Sequence, residues 1–96
     1  MLDIRDIAPM KLKAVVQRGS KKDFFDIFFL LKSFSLEEIL ELFKRKFKQQ
    51  ETFHVVKSLT YFNDAEMFAD PIVFDKSVTW ELVKSTMKKE VNAFLS

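Results

Sequence analysis

Lys11, Arg18, Asp23 and Asp26 are the residues whose types and spacing bear most directly on chemistry. Lys11 and Arg18 stand seven positions apart, two turns along one face of a helix. Asp23 and Asp26 stand three apart, which again puts both on one face. Gly19-Ser20 lies between the pairs, and a tight turn there would bring the cationic and acidic faces together. Opposed cations and carboxylates at a helix junction can hold a phosphate and its Mg²⁺, with Lys or Arg neutralising developing charge. The same residues can instead form an inter-helix salt bridge that fixes the packing angle, Asp23 also being favourable in a first helical turn. Spacing alone leaves both readings open, the structural one being the commoner use of such residues.

Other candidates carry less. His54 has no second His and no Cys in the chain, so a structural or surface role fits it better than metal ligation. The run Lys44, Arg45, Lys46 and Lys48, with Phe47 inside it, could touch RNA or an acidic partner. Phe47 also belongs to an apolar stripe, so the run reads equally as a solvated helix end matched to the dipole. Asp64, Glu66 and Asp70 make an acidic loop without the spacing of a calcium loop. No nucleophile stands beside a base.

Composition removes whole classes of function. Without cysteine the chain has no disulfide scaffold, no Cys-based zinc site and no thiol nucleophile. A single glycine, Gly19, cannot write a Walker loop, a dinucleotide fingerprint or a nucleophile elbow. A formal charge of +2 is too small to argue nucleic-acid or membrane binding by bulk attraction. No apolar run approaches a membrane span and the N-terminal residues lack a signal-peptide profile, so a cytoplasmic location is expected.

The elements that must position these residues read as helices. The spacing predicts a first helix over 3–17, with Asp3 or Asp6 as N-cap, Pro9 in its first turn, and Met10, Leu12, Ala14, Val15 and Val16 in its apolar pattern. Gly19 supplies the left-handed stop. A second helix is expected over 21–33, and FFDIFFLLK is apolar nearly all round, which places it mid-fold as core rather than as a cofactor box. Ser35 and Glu38 form a capping box for a third helix with Leu36, Ile39, Leu40, Phe43 and Phe47 inward. A fourth is expected over 51–62 with Phe53, Val56, Leu59 and Phe62 inward. Periodicity fails over 63–78, where Asp70-Pro71 marks a connector and the segment 72–74 has strand propensity but no partner. Thr79 caps a last helix whose stripe is Trp80, Val83, Met87, Val91 and Phe94. The fold class is therefore all-α, a small bundle of about five helices in one helical domain over 1–96.

The stretch DIAPMKLKAVVQRGSKKDFFDIFFLLK, with its pattern K-x6-R-x4-D-x-x-D before an apolar helix, resembles the helical region of AbiEii/AbiGii-type nucleotidyltransferases. These are toxin components of bacterial abortive-infection and toxin–antitoxin systems. The tail SLTYFNDAEMFADPIVFDKSVTWELVKSTMKKEV resembles the end of proteins in that group. The resemblance implies that Lys11 and Arg18 fall in a lysine-containing motif, and Asp23 and Asp26 in a D-x-x-D motif, flanking the nucleotide site. It also implies an N-terminal catalytic domain whose Gly-Ser pair and paired carboxylates hold Mg²⁺. That domain and its motifs are missing from these 96 residues, and Gly19-Ser20 sits in the wrong context to supply them.

The expected function is thus a helical C-terminal module of such an enzyme, inactive alone, with Mg²⁺ and NTP engaged only when a catalytic half is supplied. An apolar helix among few neighbours should leave an apolar face open, so self-association or a separately encoded partner (the catalytic half or an antitoxin) is expected. The alternatives are a stand-alone helical interaction module or regulator, and a small RNA-binding protein using KRKFK.

Overall fold

A computed structural model describes residues 3–72 and 75–96. It is all-helical: α1 (Ile4–Gln17), α2 (Lys21–Leu30), α3 (Leu36–Phe47), α4 (Phe53–Ser58) and α5 (Trp80–Leu95), with a 3-10 turn at Ala65–Met67. Among the described residues there is no strand. Ile72 has no strand partner and is fully exposed, and the other two residues of that apolar triplet, Val73 and Phe74, lie outside the described residues.

Side-chain caps set where four of the helices begin. Asp3 accepts from the Arg5 N–H at 2.8 Å and opens α1. Ser20 opens α2 in a capping box with Asp23, and Ser35 opens α3 in a second box with Glu38. Thr79 accepts from the Leu82 N–H at 3.2 Å and opens α5. Gly19 ends α1 at φ +62°, where its N–H reaches the Ala14 carbonyl at 3.3 Å. A side chain there would be strained in the left-handed region, so the short α1–α2 junction depends on this glycine.

α1 packs on α2 and α3, α5 packs on α2 and α3, and α4 packs on α1. The core they share draws Leu12 and Val15 from α1, Phe24 and Ile27 from α2, Ile39 and Phe43 from α3, Val55 and Val56 from α4, and Val83 and Met87 from α5. Fully burying one such side chain stabilises by roughly 1.5–3 kcal/mol.

The helices depart from the sequence pattern in several places. Pro9 lies beyond the first turn, buried inside α1, where it gives up one helical hydrogen bond. Met10 faces outward rather than into the core. α2 stops at Leu30, three residues early, because Lys32 and Ser33 bond three residues back, to Phe29 and Leu30, and turn the chain toward Ser35. It is not enclosed on every side, since Lys22 and Phe29 are exposed. α4 is half the expected length because Thr60 and Tyr61 bond three residues back, to Lys57 and Ser58, and turn the chain; Val56 and Leu59 are buried as expected, Val55 joins them, and Phe53 points to solvent. Phe94, in the last turn of α5, lies past the packed stripe and is partly exposed.

Candidate functional site

The turn at Arg18-Gly19-Ser20 lays α1 against α2 and pairs all four chemistry-bearing residues across them, as two nested ion pairs. Lys11 Nζ donates to Asp26 Oδ2 at 3.2 Å, tying the middle of α1 to α2. Arg18 Nη2 donates to Asp23 Oδ1 at 2.8 Å across the helix break. Lys22 stands 3.8 Å from the same Asp26 oxygen that Lys11 uses.

The two carboxylates differ in environment. Asp23 is the buried charged residue of the described core, with 2% exposure, and its needs are met locally. Its Oδ2 accepts from the Ser20 N–H at 3.1 Å and the Ser20 hydroxyl at 2.8 Å, while its Oδ1 takes Arg18. Asp26, one turn on, is half-buried and shared between two lysines. The cations differ as well. The Arg18 side chain keeps 68% of its surface exposed although one nitrogen is anchored, so its remaining N–H groups are open to solvent. It lines an open concavity of about 700 Å³ together with Ser20, Lys22, Asp23, Phe68 and Pro71.

These carboxylates do not make a metal site between them. Both oxygens of Asp23 are occupied by donors, and Asp26 already faces two ammonium groups. Among the described residues no cluster of three or more His, Asp or Glu is suited to hold an ion. What the junction offers an incoming ligand is an oriented guanidinium and the Lys22 ammonium, a set suited to oxyanions.

Charge spacing does not point to Ser20, yet it caps α2 and holds Asp23 in place. The signal was present as S-x-x-D, the same pattern as the S-x-x-E at Ser35. The remaining candidates disperse. His54 is exposed on α4. In the basic run, Lys44 pairs with Glu41 at 3.3 Å and Lys46 stands 3.8 Å from Asp6. In the acidic loop, Asp70 pairs with Lys21 at 2.8 Å, and Glu66 accepts from the Trp80 indole and pairs with Lys84 at 3.1 Å. Those two bonds, the indole first, hold the Glu66 carboxyl below the usual range, and Lys84 is pushed up by Glu66 and then Glu81.

A family model described as the nucleotidyl transferase AbiEii toxin of a type IV toxin–antitoxin system matches residues 1–95. An uncharacterized protein of Aquifex aeolicus (strain VF5) is 40% identical over 93 residues, which cover 95% of this chain and 44% of that protein. The chain thus spans less than half the length of this relative. No solved structure matches. Among the described residues no helix is long and apolar enough to cross a membrane.

Proposed function

Because the chain belongs to the AbiEii family of nucleotidyl transferase toxins, we propose that it is the helical module of such an enzyme and lends a phosphate-binding edge to a nucleotide site completed elsewhere. The observation that carries this reading is Arg18. A buried carboxylate fixes one of its nitrogens, and the rest of the guanidinium opens onto a concavity large enough for a nucleotide's phosphates.

The roles divide by exposure. Arg18 and Lys22 would contact phosphate oxygens, since both are largely exposed. Lys11 would support Asp26 and the charge balance of the site from the α1 side. Asp23 is a positioning residue that acts through Arg18 and Ser20. Because both carboxylates are already occupied by cations and hydroxyl donors, the metal ligands for transfer would come from a catalytic half, and this chain alone would be inactive. The family's type IV assignment supports an antitoxin as a further protein partner.

The test is a titration of the isotopically labelled protein with Mg²⁺-NTP, followed by NMR. Shifts confined to Arg18, Ser20, Lys22 and Asp23, and lost in Arg18→Ala, are the expected result. Silence at millimolar ligand would leave the second reading, a helical interaction module indifferent to nucleotides. The observation favouring that reading is the set of exposed apolar side chains Phe29, Met67, Phe68 and Ile72.

A further inference from the structure

The outer face of α3 belongs neither to the core nor to the junction. Leu36, Ile39, Leu40 and Phe43 turn the inner side of this helix to the core, and helical spacing sends Glu38 and Arg45 to the side opposite them. Both are exposed. They border an open groove of about 370 Å³ along α3, which Phe34 and Leu42, both half-buried, line together with Arg5 and Glu37. None of these residues lines the concavity beside Arg18.

The charges of this face are unmatched within the chain. The Glu38 carboxylate accepts the Ser35 N–H at 2.9 Å but has no cation partner, and Arg45 has no carboxylate partner, among the described residues. Seven positions separate the two, which is about two turns of helix on one face. The acidic first turn and the basic last turn therefore present opposite charges at opposite ends of a single stripe, with Leu42 between them.

We infer that this stripe is a self-complementary interface, on which α3 of a second copy lies antiparallel. Glu38 then meets the second copy's Arg45, and by symmetry Arg45 meets its Glu38, as a two-fold contact requires. The axis falls midway, at Glu41 and Leu42, so the two Leu42 side chains adjoin across it. Glu41 arrives there with its charge already answered by Lys44 at 3.3 Å. A partner of one sign would satisfy one end of the stripe and meet like charge at the other. Antiparallel helices also set opposite dipole ends side by side. α3 has 12 residues and so is about 18 Å long. One crossing of that length covers less than the roughly 1,000 Å² of a stable interface, which makes the dimer a readily dissociating one.

The experiment is sedimentation equilibrium of the whole chain up to millimolar concentration, with charges exchanged across the proposed contact. The native protein should show a reversible monomer–dimer equilibrium. Glu38→Arg or Arg45→Glu alone should weaken it about tenfold, since each sets like charges opposite one another twice. An equimolar mixture of the two variants, and one chain carrying both substitutions, should associate as the native protein does. Glu38→Arg also removes the acceptor of the Ser35 N–H, whereas Arg45→Glu leaves that cap intact, so a frayed α3 cannot account for weakening in both. A native protein that stays monomeric at every concentration would overturn the inference. So would association indifferent to the single reversals, or weakening that neither the mixture nor the doubly substituted chain restores. Nucleotide plays no part in this readout, so the result stands apart from the phosphate-binding reading.

Discussion

α2 serves two regions of opposite character. One side of it, through Asp23 and Asp26, forms the ion-paired junction with α1. Another, through Phe24 and Phe25, enters an aromatic cluster with Phe62 and Trp80. In that cluster Phe24 meets Phe62 and Trp80 edge-on at 5.3 and 5.7 Å, and Phe25 stacks on Trp80 at 6.3 Å. Lys21 and Lys84 lie over the indole at 5.7 and 5.5 Å. The junction keeps its cations half in water, where ion pairs contribute little to stability. The cluster joins α2, the connector and α5, distant in sequence, through buried rings. One region can therefore be altered for ligand binding while the other holds the fold.

The largest expected effect breaks the cluster. Trp80→Ala should destabilise by about 3–5 kcal/mol, a large fraction of what a chain this size has to lose. Urea denaturation measures it. Trp80→Phe should cost far less, losing the indole bond to Glu66 but keeping the packing, and its Mg²⁺-NTP shifts should match those of the native protein. A Trp80→Phe protein that lost them would erase the division between the two regions.

The next effect comes from the junction, and the two members of one ion pair should respond differently. Asp23→Ala leaves the Ser20 N–H without its partner and dismantles the capping box, so about 2 kcal/mol should be lost. Arg18→Ala removes a side chain that is mostly in water, and should cost under about 1 kcal/mol while abolishing the nucleotide shifts. Equal stability losses with no nucleotide shifts to abolish would make the pair a purely structural tie.

The same division explains what was legible in the sequence. α3 was readable in full at its start and along its stripe, because capping box, 3-4 periodicity and terminal charge agree locally. The four junction residues were readable because they lie close together in sequence and one glycine fixes the turn between them. The aromatic cluster was not. Lys21 and Trp80 are separated by most of the chain, and the non-periodic connector between α4 and α5 gave no sign that Glu66 and Asp70 would meet Trp80 and Lys21. The short α4 was not legible because its end is a turn, with Thr60 and Tyr61 bonding three residues back, and tertiary packing buries Val55 rather than Phe53.

A smaller effect should appear on the cluster's rim as pH falls. Glu66 has its carboxyl lowered by the indole and then by Lys84, so the stability it adds is fully present above its unfolded value of 4.5 and is lost as pH falls through its lower folded value. Lys84, pushed up, adds stability that is present below its unfolded value of 10.5 and lost only as pH rises through its higher folded value. Glu66→Gln should therefore lower Tm at pH 7 and narrow the Tm difference between pH 7 and pH 3. An unchanged difference would mean that acid destabilisation arises elsewhere, with Asp3 and Asp75, which are also held low, as the first residues to test.

The smallest expected change in stability sharpens the comparison most. Lys22 sits in the first turn of α2, where the helix dipole disfavours a cation. Its partner Asp26 is four residues on and 3.8 Å away, with the lysine on the N-terminal side, the weaker order for such a pair. Alanine is also the better helix former. These terms nearly cancel, so Lys22→Ala should change stability by no more than about 0.5 kcal/mol in either direction. Yet Lys22 lines the concavity beside Arg18 and is one of two largely exposed cations there. Losing one phosphate contact there should weaken Mg²⁺-NTP binding about tenfold, read as a rightward shift of the NMR titration at Arg18 and Ser20. A lysine that adds almost nothing to the fold and much to the ligand would mark the junction as a binding surface. A variant that bound as tightly as the native protein would remove Lys22 from the site and confine the phosphate contact to Arg18.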